Sequence, residues 1–193
     1  MAKRVAKFEK VSFDQFKKDW DDTFTWADMM AFGLIPDRFT EPDKTSVNNA
    51  IKNVYNSIVL PKRATMWSAG YDFFSPITFI LEPGQTIKIP TSVRCWMNPD
   101  WVLKCYPRSG LGFKYRLQLN NTVGIIDSDY FYSDNEGHIF AKLTNDTNEG
   151  KTVTINSGNG FMQGIFIEYG ITEDDHAKSK RNGGFGSTDK KEE

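Results

Sequence analysis

The chain has 193 residues, a mass of 22.1 kDa and a formal net charge of −1. This length suits one domain with a core of its own. The balanced charge offers no basic excess for nucleic-acid binding, and no apolar run approaches the ~20 residues of a membrane span. Because the basic N-terminus lacks the apolar stretch of a signal peptide, we expect a cytoplasmic protein.

The cysteines and histidines give no strong signal for a disulfide or for a metal site. Cys95 and Cys105 are the only cysteines, and they flank a predicted turn at residues 98–100. A disulfide across this turn is one alternative, but a cytosolic location favours two small, half-buried apolar side chains. His138 and His176 lie far apart, so the sequence contains no metal-ligand spacing.

Residues 12–56 have the periodicity of helices. Aromatic residues recur on one face of SFDQFKKDWDDTF, where Ser12 and Gln15 predict a capping box. A second helix is predicted after Thr25, and a third over residues 46–55. We interpret the aromatic faces as packing surfaces, with a surface for a protein partner as the alternative.

From Ile58 onward the sequence predicts a mainly β fold. Short runs of β-branched and aromatic residues alternate with turn residues, at a spacing of roughly ten residues. With no long helix between them, these strands indicate a sandwich, a barrel or a jelly roll. The polar segment 172–193 cannot bury enough apolar surface to order itself, so we predict a flexible tail.

Four short islands interrupt the strand pattern, and the tail contains a fifth. AGYDF carries Asp72, and an Asx-type turn explains it equally well. PRSGL follows a strand directly, and its guanidinium, hydroxyl and glycine-freed amides favour an anion site over a plain capped turn. NTVGIIDSDY ends an apolar run in Asp127, which suits a general base but, on pattern alone, better suits a solvated turn.

The last two islands lie near the C-terminus. GFMQGIF places Gln163, a lone amide that needs a partner, in an apolar strand. RNGGFGST is glycine-rich, and it fits either a phosphate-binding flap or an ordinary flexible terminus.

In this order, the five islands resemble the five motifs of the trimeric dUTPase family, over about Leu60 to Thr188. The resemblance implies a jelly-roll-like β-barrel and a homotrimer whose three active sites are shared between subunits. It implies hydrolysis of dUTP at the α-phosphorus to dUMP and pyrophosphate. Mg²⁺ would be the cofactor, held mainly by the phosphates and water.

The resemblance also implies roles for individual residues. Asp127 would activate the attacking water, the Tyr130 ring would exclude a 2′-hydroxyl, and Asp72 would support the water shell of the metal ion. The uracil contacts would come from one hairpin and from the tail: Asn121, Gly124, Ile125, Ile126 and Phe185. The phosphate contacts would come from Arg108, Ser109, Gly110, Gln163, Arg181, Gly186, Ser187 and Thr188.

Three departures from the family pattern stand out. FYSDNEGHI makes the third motif longer than usual, which predicts a reshaped edge beyond the uracil hairpin. In the tail motif Lys180 competes with Arg181 for the arginine position, and Asp189 replaces a glycine. Residues 12–56 have no counterpart in compact members, so we predict one domain, 1–193, with a helical insertion on the outside of the barrel.

Two alternatives stay open beside a dUTP hydrolase. One is the related dCTP deaminase, which shares the fold and a phosphate loop. The GIIDSDY stretch and the complete tail motif argue against it. The other is a regulatory binding protein gated by dUTP, in which the helical insertion binds the protein partner.

Overall fold

The computed structural model describes residues 3–36, 43–179 and 181, in which β-strands predominate. The strands are β1 (Ala6–Lys10), β2 (Lys62–Arg63), β3 (Tyr71–Phe74), β4 (Phe79–Leu81), β5 (Thr86–Pro90), β6 (Val93–Met97), β7 (Trp101–Pro107), β8 (Leu117–Leu119), β9 (Gly124–Ile126), β10 (Phe140–Asn145), β11 (Val153–Ile155) and β12 (Gly160–Glu168). The helices are α1 (Phe13–Asp21), α2 (Trp26–Ala31), α3 (Lys44–Ser57) and α4 (Ser109–Tyr115), with a 3₁₀ helix at Ser128–Tyr132. The prediction of a mainly β fold is confirmed.

The largest sheet places β12 at its centre, in the order β2-β3-β12-β7-β9, with every neighbouring pair antiparallel. A three-stranded sheet follows the order β5-β10-β8, and two further pairs join β1 to β6 and β4 to β11. The predicted turn at residues 98–100 links β6 to β7, where the Trp101 N–H donates to the Asn98 carbonyl at 3.1 Å. Consecutive strands therefore often lie in different sheets.

Strand β1 has no counterpart in the sequence-based predictions. Its sequence, AKFEK, contains no β-branched residue, so its intrinsic preference for a strand is low. Tertiary contacts stabilise it instead. It pairs antiparallel with β6, and the Phe8 ring packs 5.4–5.7 Å from the rings of Tyr71, Phe73 and Phe166.

The three N-terminal helices bury their apolar faces in the same core as the strands. Phe16 and Trp20 in α1 and Ile51 in α3 are fully buried within one hydrophobic cluster that also contains strand residues. At the start of α1, Ser12 Oγ accepts from the Gln15 N–H at 3.1 Å, whereas the Gln15 side chain donates to Asp19. The predicted capping box at Ser12 is therefore only half formed. Within the described residues, no helix combines the length and apolarity needed to cross a membrane.

We predict that helix α3 contributes to global stability. Replacing the fully buried Ile51 with alanine removes core contacts and leaves a cavity, which should lower the free energy of unfolding by about 2–5 kcal/mol. Asn53→Ala changes an exposed position on the same helix and is the matched control. Denaturant unfolding at fixed protein concentration measures both variants, and equal stabilities would contradict this view of the helix.

Candidate active site

A cavity of about 570 Å³ opens beside β9. A turn at Thr122, whose φ of 64° lies in the left-handed region, connects β8 to β9, and β9 pairs with β7. Six residues predicted to bind substrate line this cavity: Asn121, Gly124, Ile125, Ile126, Tyr130 and Arg181. The structure thus brings the third motif together with the first residue of the tail motif.

Asp127 connects β9 to the 3₁₀ helix and is not itself among the residues that line the cavity. Its carboxylate forms an ion pair with Arg181, and Arg181 Nε also lies 3.0 Å from Asp129 Oδ1. Asp127 and Asp129 lie two residues apart in the sequence, so their carboxylates are close enough to repel each other. They converge on one guanidinium, which offsets the repulsion between them.

A second group of predicted residues lies where β3, β7 and β12 meet. Arg108 Nε is 3.2 Å from Asp72 Oδ1, and Gln163 Nε2 donates to the Pro107 carbonyl at 3.3 Å. In the ladder between β12 and β3, Gln163 lies directly opposite Asp72. Gly70 leaves room for the Gln163 side chain, because a Cβ at position 70 would lie 2.8 Å from Gln163 Oε1. The first, second and fourth motifs therefore form one contact group.

The second motif also lines a cavity of its own, of about 360 Å³. Arg108, Ser109 and Gly110 line it at the start of α4, together with residues of β11 and the turn before β12. The two cavities share no lining residue. Within one chain the predicted site residues thus form two groups rather than one pocket.

Part of the tail motif falls outside the described residues. Phe185, Gly186, Ser187 and Thr188 lie there, and so do Lys180 and Asp189. Their predicted roles, and the competition between Lys180 and Arg181, remain predictions.

Sequence reasoning missed two lysines at the first cavity. Lys88 on β5 and Lys142 on β10 lie directly opposite each other, and both line the cavity beside Arg181. Like charges directly opposite destabilise a sheet, so this pairing favours an anionic occupant. Only the strand register brings them together, and the sequence carries no local signal for it.

Known proteins are similar to this chain over most of its length. The family model described as dUTPase matches residues 56–189. The deoxyuridine 5′-triphosphate nucleotidohydrolase of Lactococcus lactis subsp. lactis is 42% identical over 134 residues, which cover 68% of this chain and 88% of that protein. The Haemophilus influenzae protein of the same name is 34% identical over 155 residues, covering 76% and 98%.

Solved structures show the same fold. The crystal structure of dUTPase from Streptococcus mutans has a TM-score of 0.53 and 37% identity, and the match covers 59% of this chain and 88% of that one. The dUTPase from phage phi11 of S. aureus, at 23% identity and a TM-score of 0.51, supports the fold alone. The architecture is therefore a jelly-roll-like β fold, as predicted.

The match covers most of the chain, and the relatives it finds are nucleotide hydrolases. The chain belongs to the dUTPase family, and the predicted family is confirmed. The matched region begins at residue 56, so β1, α1 and α2 precede it.

The two cysteines are free thiols that lie in different sheets. Cys95 on β6 and Cys105 on β7 are both almost fully buried, so the alternative of a disulfide across the turn is wrong. Burial raises the pKa of both thiols, that of Cys105 to about 12. They are more deeply buried than the half-buried side chains that we expected.

We predict that neither thiol reacts in the native protein. At pH 8 a thiol of pKa about 12 is ionised in only about one molecule in ten thousand, and burial blocks the reagent as well. Reaction with a chromogenic disulfide should be at least about a thousandfold slower than in urea-unfolded protein, which is the control. Fast native reaction of even one thiol would contradict the burial.

Proposed function

We propose that this member of the dUTPase family hydrolyses dUTP to dUMP and pyrophosphate by attack of water on the α-phosphorus, with Asp127 as general base. The observation that carries the proposal is the position of Asp127. Asp127 follows directly on β9 and pairs with Arg181, and both β9 and Arg181 line the first cavity, so a carboxylate stands next to a nucleoside-sized space. A base at such an edge can orient and deprotonate a water molecule.

The first cavity would take the nucleoside. Backbone groups of Gly124, Ile125 and Ile126, with the Asn121 amide, offer hydrogen bonds that match uracil and mismatch cytosine. Phe185 would cover the base from the tail. The Tyr130 ring, which is buried and lines the same cavity, would leave no room for a 2′-hydroxyl.

The second group would take the phosphates. Arg108, Ser109 and Gly110 supply a guanidinium, a hydroxyl and free amides, and Gln163 adds an amide beside them. Arg181 would move from Asp127 to the triphosphate, together with Gly186, Ser187 and Thr188 of the tail. That movement would free the Asp127 carboxylate from its ion pair, so that it could bind the attacking water.

Mg²⁺ fits this site as a companion of the triphosphate. The described residues contain no cluster of three His, Cys, Asp or Glu side chains that could hold a metal ion. Mg²⁺ commonly keeps several waters and binds through substrate phosphates, so it needs few protein ligands. Bound there, it neutralises charge on the phosphates, and the Asp72 carboxylate would accept a hydrogen bond from its water shell.

A homotrimer with shared sites would unite the two groups. Within one chain they line separate cavities, although one substrate must contact both. Large apolar side chains also lie exposed, including Trp67 at 91% and Phe113 at 93% of their surface. Exposed apolar residues of this size favour burial between subunits, and Phe113 belongs to α4, next to the proposed phosphate loop.

Asp127→Asn tests the general base. We expect kcat for pyrophosphate release from dUTP to fall by about 10²–10⁴-fold, because the amide cannot accept the proton of water. The matched control is Asp129→Asn, since this neighbouring carboxylate also pairs with Arg181; its kcat should change by less than about threefold. The assay runs with Mg²⁺ on dUTP, UTP, dTTP and dCTP.

The results separate the alternatives. Hydrolysis of dUTP that survives in Asp127→Asn would assign the base to another group. Ammonia release from dCTP would indicate a deaminase. Binding of dUTP without any turnover by the wild type would indicate the nucleotide-gated regulatory protein.

Mixed trimers test whether sites are shared. Arg108→Ala and Asp127→Asn each inactivate one half of the site. If Arg108 and Asp127 come from different subunits, an equal mixture that reassociates at random should recover about a quarter of the wild-type activity. Each variant carried alone through the same unfolding and refolding is the control. No recovery, with trimers present, would place both residues of each site in one chain.

A further inference from the structure

The extended loop after Tyr130 contacts the first N-terminal helix. Glu136 accepts from the Ser12 backbone N–H at 2.7 Å and from its hydroxyl at 2.6 Å. The Glu136 carboxylate therefore completes the cap of α1 that the Gln15 side chain leaves open. An anion at this position is also favoured by the helix dipole.

A buried histidine makes the second contact between this loop and α1. His138 is fully buried, and its Nε2 accepts from the Ser92 N–H at 2.7 Å. Its proton must therefore lie on Nδ1, which donates to Asp19 Oδ2 at 2.5 Å. Burial lowers the pKa of His138 even beside this carboxylate, so the imidazole is neutral at pH 7. Asp19 also accepts from Gln15 Nε2 at 2.8 Å.

The same loop holds Tyr130. The Tyr130 hydroxyl donates to the His138 carbonyl at 2.7 Å and accepts from Asn135 Nδ2 at 2.8 Å. Between them Gly137 has a φ of 70°, and a Cβ there would lie 2.7 Å from Phe131 Cα and from the Tyr130 carbonyl. The loop is thus closed tightly on Tyr130, and His138 lies two residues before the start of β10.

We propose that Asp19, acting through His138, positions Tyr130 and so sets the selectivity of the enzyme for deoxyribose over ribose. This inference rests on the proposed role of Tyr130 in excluding the 2′-hydroxyl. The path has two hydrogen-bonded steps: the Asp19 carboxylate fixes the imidazole, and the carbonyl of the same histidine fixes the tyrosine hydroxyl. Helix α1 precedes the region matched by the family model, and through Asp19 it contributes to the selectivity for deoxyribose.

The physical reason is the small size of the group to be excluded. A hydroxyl differs from a hydrogen by a single oxygen atom, so a shift of the ring by about 1 Å would admit ribose. A phenol anchored at its hydroxyl resists such a shift better than a ring held by packing alone. Asp19 and His138 are positioning residues in this scheme, since neither lines the cavity.

The test measures kcat/KM for dUTP and for UTP in Asp19→Ala. We expect the dUTP-to-UTP ratio to fall by about tenfold, mainly through a higher value for UTP. Asp19→Asn should stay within about twofold of wild type, because its amide oxygen still accepts from His138 Nδ1–H. The matched control is Asp21→Ala, which removes a charge that pairs only with Lys17 on the same helix, among the contacts described.

Two tyrosine variants make the result decisive. Tyr130→Phe removes the anchored hydroxyl and keeps the ring, so it should lower the ratio to a similar extent. Combined with Asp19→Ala, it should add little, because both act on one path. Tyr130→Ala removes the ring and tests the proposed function itself.

The outcomes distinguish a failure of this inference from a failure of the proposed function. If Asp19→Ala lowers the melting temperature but leaves the ratio unchanged, while Tyr130→Ala lowers it, the aspartate is only structural and the inference fails. If Tyr130→Ala also leaves the ratio unchanged, Tyr130 does not select the sugar and the proposed function is wrong at that residue. If Asp19→Ala does not fold, an unchanged ratio in Tyr130→Phe still overturns the inference.

Discussion

The antiparallel ladder between β7 and β12 holds both halves of the candidate active site in place. Seven residue pairs join these strands, from Met162 opposite Pro107 to Glu168 opposite Trp101. On its far side β12 pairs with β3 and thereby sets Gln163 opposite Asp72. On its far side β7 pairs with β9, whose residues line the first cavity. A slip of one residue in this ladder would turn Gln163 to the opposite face of the sheet and break the contact group around Arg108.

Local sequence signals predicted the parts of this arrangement that local chemistry controls. Pro107 ends a strand because it cannot donate to the ladder, and the proposed phosphate loop follows it directly. The Thr25–Asp28 capping box forms as a helix start of that composition should. The islands were visible because each breaks a strand pattern with a charged, amide or glycine residue. Their assembly into two groups was not visible, since strand order and register are long-range properties.

Three features were not predicted from the sequence, each for a physical reason. Strand β1 has low β propensity and exists because β6 and a cluster of aromatic rings stabilise it. His138 lies in a polar stretch, NEGHI, where nothing indicates complete burial; the long-range Asp19 carboxylate and the Ser92 amide satisfy both ring nitrogens. The cap of α1 was predicted from neighbours three residues apart, yet Glu136, 124 residues away, supplies the second half. In each case a distant partner replaces the local one.

The positions of the charged residues at the first cavity can be explained by the charge of the proposed substrate. The proposed general base would stand close to a triphosphate, and the carboxylates of Asp127 and Asp129 would both repel that anion. Arg181 offsets part of the charge of the two carboxylates, and the opposed Lys88 and Lys142 add positive charge on the neighbouring sheet. Two lysines side by side lower the stability of that sheet, but a bound polyanion would reverse the sign of their contribution. The same cations would thus stabilise the loaded site and carry a cost in the empty one. The placement of these charged residues therefore favours the binding of an anion rather than the stability of the fold.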